Sequence, residues 1–294
     1  MPTYLAVVAT YGLLSCAIAM LWVPVRDARV AMARWAVPFV LSLLVGLWAG
    51  FLGSIALATV VAFALACYAF SSERNNRSIQ RVVAAVIILL LAAGFMSHTL
   101  PGYANYKMLS GLVLSPDAIP YTRYLNFDKA LIGLFLLAYC HGLLSTRAEW
   151  ATMLKATIPQ AMVVAGVVLA LGLAMDYVRF DPKWTSLFYP WAWSNLFFTC
   201  LPEEALFRGF IQNQLERLFA GLQYGGVLAI AIASLVFGLE HYAGGLTYVL
   251  LATVAGMGYG WVYQKTGRIE SSILVHFSVN ALHFVFFTYP ALKH

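Results

Sequence analysis

Long apolar runs joined by short polar connections restrict most strongly what this chain can fold into. A helix needs roughly 20 mostly apolar residues to cross a bilayer. Runs of about this length cover 3–23, 35–52, 54–71, 82–98, 129–145, 157–177, 190–212, 225–241, 244–263 and 271–289. Only the turn signal Gly50-Phe51-Leu52-Gly53 divides the second run from the third. The sequence therefore predicts eight to ten membrane spans.

Composition indicates that lipid must cover much of the surface of this chain. Of its 294 residues, 62% are hydrophobic and 10% are charged, whereas soluble domains are about 25% charged. Helices satisfy their own backbone hydrogen bonds in lipid. We therefore predict an all-α fold, a polytopic transmembrane helix bundle. We expect a single membrane domain over 1–294, with accessory spans and an extramembrane loop in 1–189 and core helices in 190–289.

The net charge of +6 is spread between the apolar runs and does not form a basic stripe, so no nucleic-acid partner is expected. Basic residues that border spans favour the cytoplasmic side. With strict alternation, the cytoplasmic connections carry Arg26, Arg29 and Arg34; Arg74, Arg77 and Arg81; Arg147 and Lys155; Arg217; and Lys265 and Arg268.

The first polar group inside an apolar run is Pro202-Glu203-Glu204, followed by Arg208. Ionisable residues within a span are costly to insert, usually face the protein interior and often mark function. On an α-helix Glu204 and Arg208 share a face and can form an ion pair. Glu203 lies about 100° round the helix and lacks a local cation. The alternative is a solvated helix end at the membrane surface.

Two further polar groups lie in the last spans. His241 follows Phe237 by about one helical turn, at the end of its apolar run. His276 and Asn280 are four residues apart, which places them on one helix face. Taken alone, an interfacial histidine and a polar contact between helices explain these residues nearly as well.

Taken together, these groups must meet in the bundle interior to be tolerated, and they predict a polar active site inside the C-terminal four helices. No serine or cysteine has the sequence setting of a nucleophile. The set therefore suggests attack of an activated water on an acyl carbon. Glu203 is the candidate base, and His276 and Asn280 are candidate donors to the developing oxyanion.

The motifs EExxxR, FxxxH and HxxxN, in this order within an apolar context, resemble the CAAX protease and bacteriocin-processing family of intramembrane endopeptidases. This family includes the membrane enzyme that removes the last three residues of prenylated CAAX proteins. The resemblance covers roughly 190–285. Gly256, Gly260 and the turn at 266–268 are similar to the family's usual lead-in to its last motif.

The resemblance implies that Glu203 activates water together with His241, and that His276 and Asn280 form the oxyanion site. It implies supporting roles for Glu204, Arg208 and Phe237. The extra spans before the motif region exceed the eight-span core common among such enzymes, which indicates a specialised subgroup.

Metal dependence is an open alternative. The family was long described as metallopeptidases and is now more often regarded as glutamate-dependent. Zinc takes carboxylate and imidazole ligands, so Glu203, His241 and His276 could form a zinc site. We favour a mechanism without metal or cofactor, with zinc as the runner-up.

The expected partners are membrane lipid and a protein or peptide substrate, with a C-terminal membrane-anchoring tail or a lipidated end as the substrate class. The proline- and tyrosine-rich loop 98–128 is a candidate for recognising such a substrate. The expected location is the bacterial inner membrane. The main alternative function is a non-catalytic transporter or chaperone-like binder, because intramembrane charges also mark transport pathways.

One spacing conflicts with a single site. His241 lies 16 residues beyond Gly225, or roughly 24 Å along a helix, whereas Glu203 is in mid-run and His276 is near the start of its run. Upright, full-length helices would not bring the three together. We expect the Gly225-Gly226 pair or Gly238 to shorten, tilt or kink the helix that leads to His241.

Overall fold

The computed structural model describes residues 3–72 and 78–293, and each of the ten predicted apolar runs contains a helix. Arg74 and Arg77, which contributed to the predicted orientation, lie outside the described residues. The helices outside the 188–218 segment are α1 Tyr4–Met20, α2 Ala28–Trp48, α3 Ser54–Ser72, α4 Ile79–Met96, α5 Phe127–Cys140, α6 Arg147–Ala174, α10 Gly225–Glu240, α11 Leu246–Thr266 and α12 Ile269–Phe286.

Six of these helices are long and apolar enough to cross a membrane, namely α2, α3, α4, α6, α11 and α12. Two shorter apolar helices, α1 and α10, have 17 and 16 residues. A helix forms the hydrogen bonds of its own backbone N–H and C=O groups, so these segments need no water as a partner. The predicted multi-pass transmembrane helix bundle is thereby confirmed.

The helix boundaries follow local sequence signals. Thr3, Asp27 and Ser78 each precede a helix and accept a hydrogen bond from a backbone amide of its first turn, which satisfies donors that the helix itself leaves unpaired. The turn signal between α2 and α3 is also confirmed. Gly50 has a φ of +77°, a conformation that glycine adopts without strain.

The 98–128 loop contains a β-hairpin that the sequence analysis did not predict. Strand β1 spans Tyr106–Leu112 and strand β2 spans Tyr121–Leu125, and the two form a two-stranded sheet. The ends of β2, Tyr121 and Leu125, are buried, whereas the residues between them are more exposed. Tyr121 therefore packs into the protein, whereas Tyr124 is exposed.

The chain divides into two compact units. The first comprises Met1–Lys107, Tyr124–Thr146 and Phe197–Leu206, and the second comprises Met108–Arg123, Arg147–Leu196 and Phe207–His294. The single membrane domain expected from the sequence stays a prediction.

The first unit is centred on a buried aromatic cluster. Tyr11 on α1 is fully buried, and its ring centre lies 5.5 Å from that of Phe51, 6.1 Å from that of Phe127 and 5.7 Å from that of Phe198. Its hydroxyl accepts a 3.1 Å hydrogen bond from the Tyr106 amide. Edge-to-face aromatic contacts of this kind stabilise a core beyond the area that they bury.

The second unit contains α6, α10, α11 and α12, with α10 packed on α11 and α12 packed on α6. A strap of residues 179–183 runs along the end of α12. The Asp181 amide donates to the Phe286 carbonyl at 2.8 Å, and the Lys183 amide donates to the Val285 carbonyl at 2.7 Å. The strap thus satisfies carbonyls that a helix C-terminus leaves unpaired.

Candidate active site

The segment that carries the first motif is a helix interrupted twice by π-helical turns. It consists of α7 Phe188–Asn195, a π turn Leu196–Cys200, α8 Leu201–Glu204, a π stretch Ala205–Gln212 and α9 Asn213–Leu218. Pro202 lacks an amide hydrogen, so the Phe198 carbonyl, four residues earlier, cannot receive its usual helical hydrogen bond. Such π turns occur frequently at functional sites.

This geometry differs from the uninterrupted α-helix assumed for Glu204 and Arg208. In a π-helix each amide bonds to the carbonyl five residues earlier, so residues four apart are no longer stacked as they are in an α-helix. Both side chains are fully buried. The proposed Glu204–Arg208 ion pair stays a prediction.

Glu203 lies in the first unit, where a cation from another helix reaches it. Its side chain is 3% exposed, and the Lys129 ammonium on α5 donates to its Oε1 at 2.7 Å. Gly133, one turn further along α5, permits this approach, because a Cβ there would lie 3.2 Å from the Pro202 nitrogen. The contact thus pairs the buried carboxylate with a cation from α5.

A second buried carboxylate precedes Lys129 on α5. Asp128 is 1% exposed. Its Oδ2 lies 2.7 Å from His98 Nδ1, and its Oδ1 accepts hydrogen bonds from the Asn105 side chain at 3.0 Å and from the Lys129 amide at 2.8 Å. Together these contacts fix the start of α5, and with it the origin of the Lys129 side chain.

Both α5 residues lie outside the sequence motifs. Lys129 was considered only as the first residue of a predicted span, and Asp128 only as the last residue of a loop. Both residues lie at the edge of an apolar run, where charge is ordinary in a membrane protein, so the sequence does not mark them.

In the second unit, His241, His276 and Asn280 line one cavity of about 90 Å³. That volume has room for a few waters at ~30 Å³ each. His283 lines the same cavity, one turn beyond Asn280. The remaining walls are mostly apolar, formed by residues such as Val168, Leu251, Ala255 and Val279.

His241 reaches this cavity because α10 is short and packs closely on α11. The helix ends at Glu240 and His241 caps it. A Cβ at Gly238 would overlap Thr253 and would lie 2.8 Å from the Val249 carbonyl, so only glycine allows this approach. The spacing conflict between His241 and His276 is thereby removed, with α10 continuous from Gly225 to Glu240.

Both histidine rings are oriented by their neighbours. His241 Nδ1 lies 2.8 Å from the Phe237 carbonyl. Since a carbonyl only accepts, Nδ1 carries the hydrogen, and Nε2 of the neutral ring is left as an acceptor. The His276 ring stacks on Tyr259 at 4.6 Å between ring centres. Phe237 contacts both histidines, at 4.8 Å and 5.8 Å.

Arg208 lies behind these rings and is fully buried. Its guanidinium carbon is 4.4 Å from the centre of the Phe237 ring and 5.1 Å from that of Tyr259, which is within cation–π range. Its Nη2 also donates to the Gly256 carbonyl at 3.1 Å. The arginine therefore touches both aromatic rings that orient the histidines.

Gly256 and Gly260, which precede the last motif, both give a buried polar side chain access to the backbone of α11. Arg208 bonds to the Gly256 carbonyl, and Gln212, four residues later, bonds to the Gly260 carbonyl at 3.1 Å. A Cβ at Gly256 would lie 2.9 Å from Arg208, and one at Gly260 would lie 2.6 Å from Gln212. The glycines let the buried polar side chains reach the backbone of α11.

Asn280 is held by a partner that the sequence analysis missed. Its Nδ2 donates to Asn195 Oδ1 at 3.2 Å, and Asn195 is itself 4% exposed. This bond fixes the orientation of the Asn280 amide. Asn195 lies seven residues before Pro202, in a position that no motif marks.

The predicted site residues thus fall into two described sets. The first unit holds Glu203 with Lys129, and the second holds His241, His276 and Asn280 around one cavity. Among residues 3–72 and 78–293, no three His, Cys, Asp or Glu side chains are grouped so that they could hold a metal ion. The alternative zinc site of Glu203, His241 and His276 stays a prediction.

Residues 184–282 match the family model described as type II CAAX prenyl endopeptidase Rce1-like. The matched segment contains all three motifs, and the match confirms the family resemblance. It implies a protease that acts on a protein substrate in a membrane environment. No curated protein and no solved structure gives a significant match to the chain.

Proposed function

We propose, from the match of residues 184–282 to the type II CAAX prenyl endopeptidase Rce1-like family model, that the chain is an intramembrane endopeptidase that uses a glutamate-activated water. The proposed substrate is a protein cleaved near its membrane-embedded or C-terminal part. The observation that carries the proposal is the 90 Å³ cavity, where His241, His276 and Asn280 meet within an apolar surround.

In the proposed reaction, Glu203 takes a proton from water as the water oxygen bonds to the acyl carbon. His241 orients this water through its Nε2 acceptor. The carbonyl oxygen becomes an oxyanion that His276 and Asn280 stabilise by donating hydrogen bonds. The tetrahedral intermediate then collapses, and the proton held by Glu203 passes to the departing amine as the C–N bond breaks.

Several contacts support these roles. Lys129 holds the Glu203 carboxylate, the proposed base, in an ion pair at 2.7 Å. The Asn195 bond and the Tyr259 stack hold Asn280 and His276 in fixed orientations. Pre-oriented donors stabilise an oxyanion better than mobile ones, because they need no reorganisation during the reaction. Arg208 and Phe237 are proposed to support the histidines.

Cleavage by the purified full chain in lipid nanodiscs tests the proposal. Glu203→Gln keeps the size of the side chain but removes the base, so we expect a loss of about 10²–10⁴ in kcat. Asn280→Ala removes an oxyanion donor, and we expect a loss of about 10²–10³. Glu149→Gln is the matched control, because Glu149 is 37% exposed and pairs with Arg268 on the surface. Wild-type cleavage by Glu203→Gln would falsify the mechanism.

The mechanism also requires Glu203 and the histidine cavity to act on one substrate. A substrate peptide with a photoreactive group at the scissile position tests this directly. We expect crosslinks to peptides containing Glu203 and to peptides containing His276. Crosslinks confined to one of the two sets would contradict a joint site.

We propose that no metal takes part. The distribution of His, Cys, Asp and Glu side chains supports this proposal. The purified enzyme should retain its cleavage rate after dialysis against a strong chelator and should contain less than one equivalent of zinc by elemental analysis. Loss of activity that added zinc restores would overturn the proposal in favour of the zinc mechanism.

For the substrate, we propose proteins with a C-terminal membrane-anchoring tail, in the bacterial inner membrane. The family match supports a membrane-borne protein substrate, and the hairpin β1–β2 gives the 98–128 loop an ordered surface for contacting it. Deletion of the gene should leave tail-bearing proteins uncleaved in the inner-membrane fraction. Normal processing of every such protein would refute this substrate class.

A further inference from the structure

A cavity of about 770 Å³ in the first unit lies away from the motif residues. It is lined by the connection between α1 and α2, the first turns of α2, and the end of α5 with the residues that follow. Small-molecule sites usually have volumes of about 300–1,000 Å³. The cavity is therefore large enough for part of a lipid or a molecule of similar size.

Two arginines and one histidine line this cavity. Arg26, Arg34 and His141 contribute to its wall, and no Asp or Glu does so among the described residues. The nearest acidic residue along the chain, Asp27, caps α2, because its Oδ1 accepts the amides of Arg29 and Val30 at 2.8 and 3.1 Å. The wall thus has an excess of positive charge.

Two of these basic groups have buried nitrogens that lack an acceptor within the described residues. Arg34 Nη2 donates to the Leu21 carbonyl at 3.0 Å, but Arg34 Nε is buried with no hydrogen-bond partner. His141 Nε2 is likewise buried and unpaired. Buried polar groups normally have partners, and an anion in the cavity would supply acceptors to both.

The rest of the wall is apolar and aromatic, with Trp22, Trp35 and Leu137 among its members. The cavity lies at the ends of α1 and α5 and the beginning of α2, so it lies at the level where apolar helices end. Lipid headgroups are found at this level, and tryptophans are enriched there. An acyl chain fits the apolar wall, and a phosphate fits the basic groups.

We propose that this cavity binds the phosphate of an anionic lipid, with Arg26, Arg34 and His141 as its ligands. Guanidinium groups bind phosphate through paired, charge-assisted hydrogen bonds. The chemistry shared with free phosphate is the anion itself, whereas the apolar wall favours the lipid. This site is independent of the proposed protease activity.

Native mass spectrometry of the full chain in mild detergent tests the proposal, after incubation with phosphatidylglycerol, phosphatidylcholine or inorganic phosphate. We expect one retained phosphatidylglycerol and binding of phosphatidylcholine weaker by about tenfold, since its choline cation cancels the charge of its phosphate and is repelled by the arginines. Displacement of phosphatidylglycerol by millimolar inorganic phosphate would indicate that the site binds free phosphate from solution. Equal binding of both lipids would overturn the proposal.

Variants locate the site. Arg26→Gln and Arg34→Gln should each weaken phosphatidylglycerol binding about tenfold. Arg29→Gln is the matched control, because Arg29 is exposed in the same segment and does not line the cavity. Arg34 also holds the Leu21 carbonyl, so the exposed Arg26 provides the variant least expected to affect folding. Wild-type binding by both Arg26→Gln and His141→Phe would overturn the proposal.

Discussion

The ammonium of Lys129 lies 2.7 Å from Oε1 of Glu203, and the two side chains are 12% and 3% exposed. Lys129 belongs to α5, outside the family segment 184–282. The preceding spans therefore contribute a charged contact to the glutamate that we propose as the base. In this proposal Lys129 is a positioning residue, because it acts through Glu203.

Replacement of Lys129 by Met should lower both stability and activity. Removing one partner of a buried ion pair leaves the other charge uncompensated, at a cost of about 3–5 kcal/mol. We expect a lower thermal unfolding temperature in detergent and a large loss of cleavage. Lys155→Met, at an exposed position on α6, should change neither.

The double variant Lys129→Met with Glu203→Gln separates the two effects. Removing both charges should recover much of the stability that Lys129→Met alone loses, since no buried charge is left unpaired. Cleavage should stay absent, because the base is missing. If the double variant is no more stable than Lys129→Met, the ion pair is not what the lysine contributes.

Asp128→Asn should destabilise the first unit. Asp128 accepts bonds from His98, Asn105 and the Lys129 amide, and an amide in its place offers only one acceptor oxygen. Loss of such contacts at a buried position costs about 1–3 kcal/mol, measurable as a lower unfolding temperature. Asp117→Asn is the control, because Asp117 is exposed and its φ of +59° suits asparagine equally well. Equal effects of the two substitutions would contradict the expectation.

Gly256→Ala should impair cleavage more than Gly166→Ala does. The new methyl group at position 256 would press on Arg208 and Phe237, at 2.9 and 3.1 Å, and would disturb the ring that contacts both histidines. Gly166 lies within α6 and has open space around it, so alanine there should be neutral or stabilise by about 0.5–1 kcal/mol. The measurements are kcat and the unfolding temperature. Wild-type kcat for Gly256→Ala would argue against support of the histidines by Arg208.

The strap at the end of α12 should make stability depend on pH. Burial alone would raise the pKa of Asp181, but hydrogen bonds from Ser115 and Lys183 outweigh burial and hold that pKa below its ordinary 3.8. A lowered carboxyl pKa stabilises the folded state at higher pH, and this contribution is lost as the pH falls from about 3.8 through the lowered value. Burial lowers the pKa of Lys183 despite its bond to Asp181, so stability should rise again on the alkaline side.

Unfolding temperatures measured from pH 7 to pH 3 check the acid branch. Asp181→Asn should flatten it, because the variant has no proton to bind at this position. Asp176→Asn should leave it unchanged, since Asp176 is 66% exposed and exposed ion pairs contribute about 0–1 kcal/mol. An acid branch that survives in Asp181→Asn would assign the pH dependence to another group.

The helices were predictable because their signals are local. Apolar runs of span length become helices wherever lipid or protein covers them, and glycine marks the turn at Gly50. The hairpin β1–β2 was not predicted. Its strands lie in a proline- and tyrosine-rich connection, and their pairing depends on contacts distant in sequence, such as the bond from the Tyr106 amide to Tyr11.

The site was predictable only in part. His241, His276 and Asn280 could be found because polar side chains in apolar runs are conspicuous, and the structure places all three at one cavity. Lys129 and Asn195 could not be found in this way. Lys129 lies at the edge of a span, where charged residues are common. Asn195 is a single amide side chain outside every motif. Their importance comes from partners 74 and 85 residues away.

The π stretch 205–212 has a consequence for chimeras made between this chain and a relative. Because each wide turn takes up more residues than an α-turn, the number of residues between Glu204 and Asn213 determines which way every later side chain of this helix points. Removing one residue while the stretch stays π-helical would rotate the following side chains by one residue's turn, which is somewhat less than the about 100° of an α-helix. Such a chimera must therefore keep the number of residues in that stretch, even where the amino acids differ.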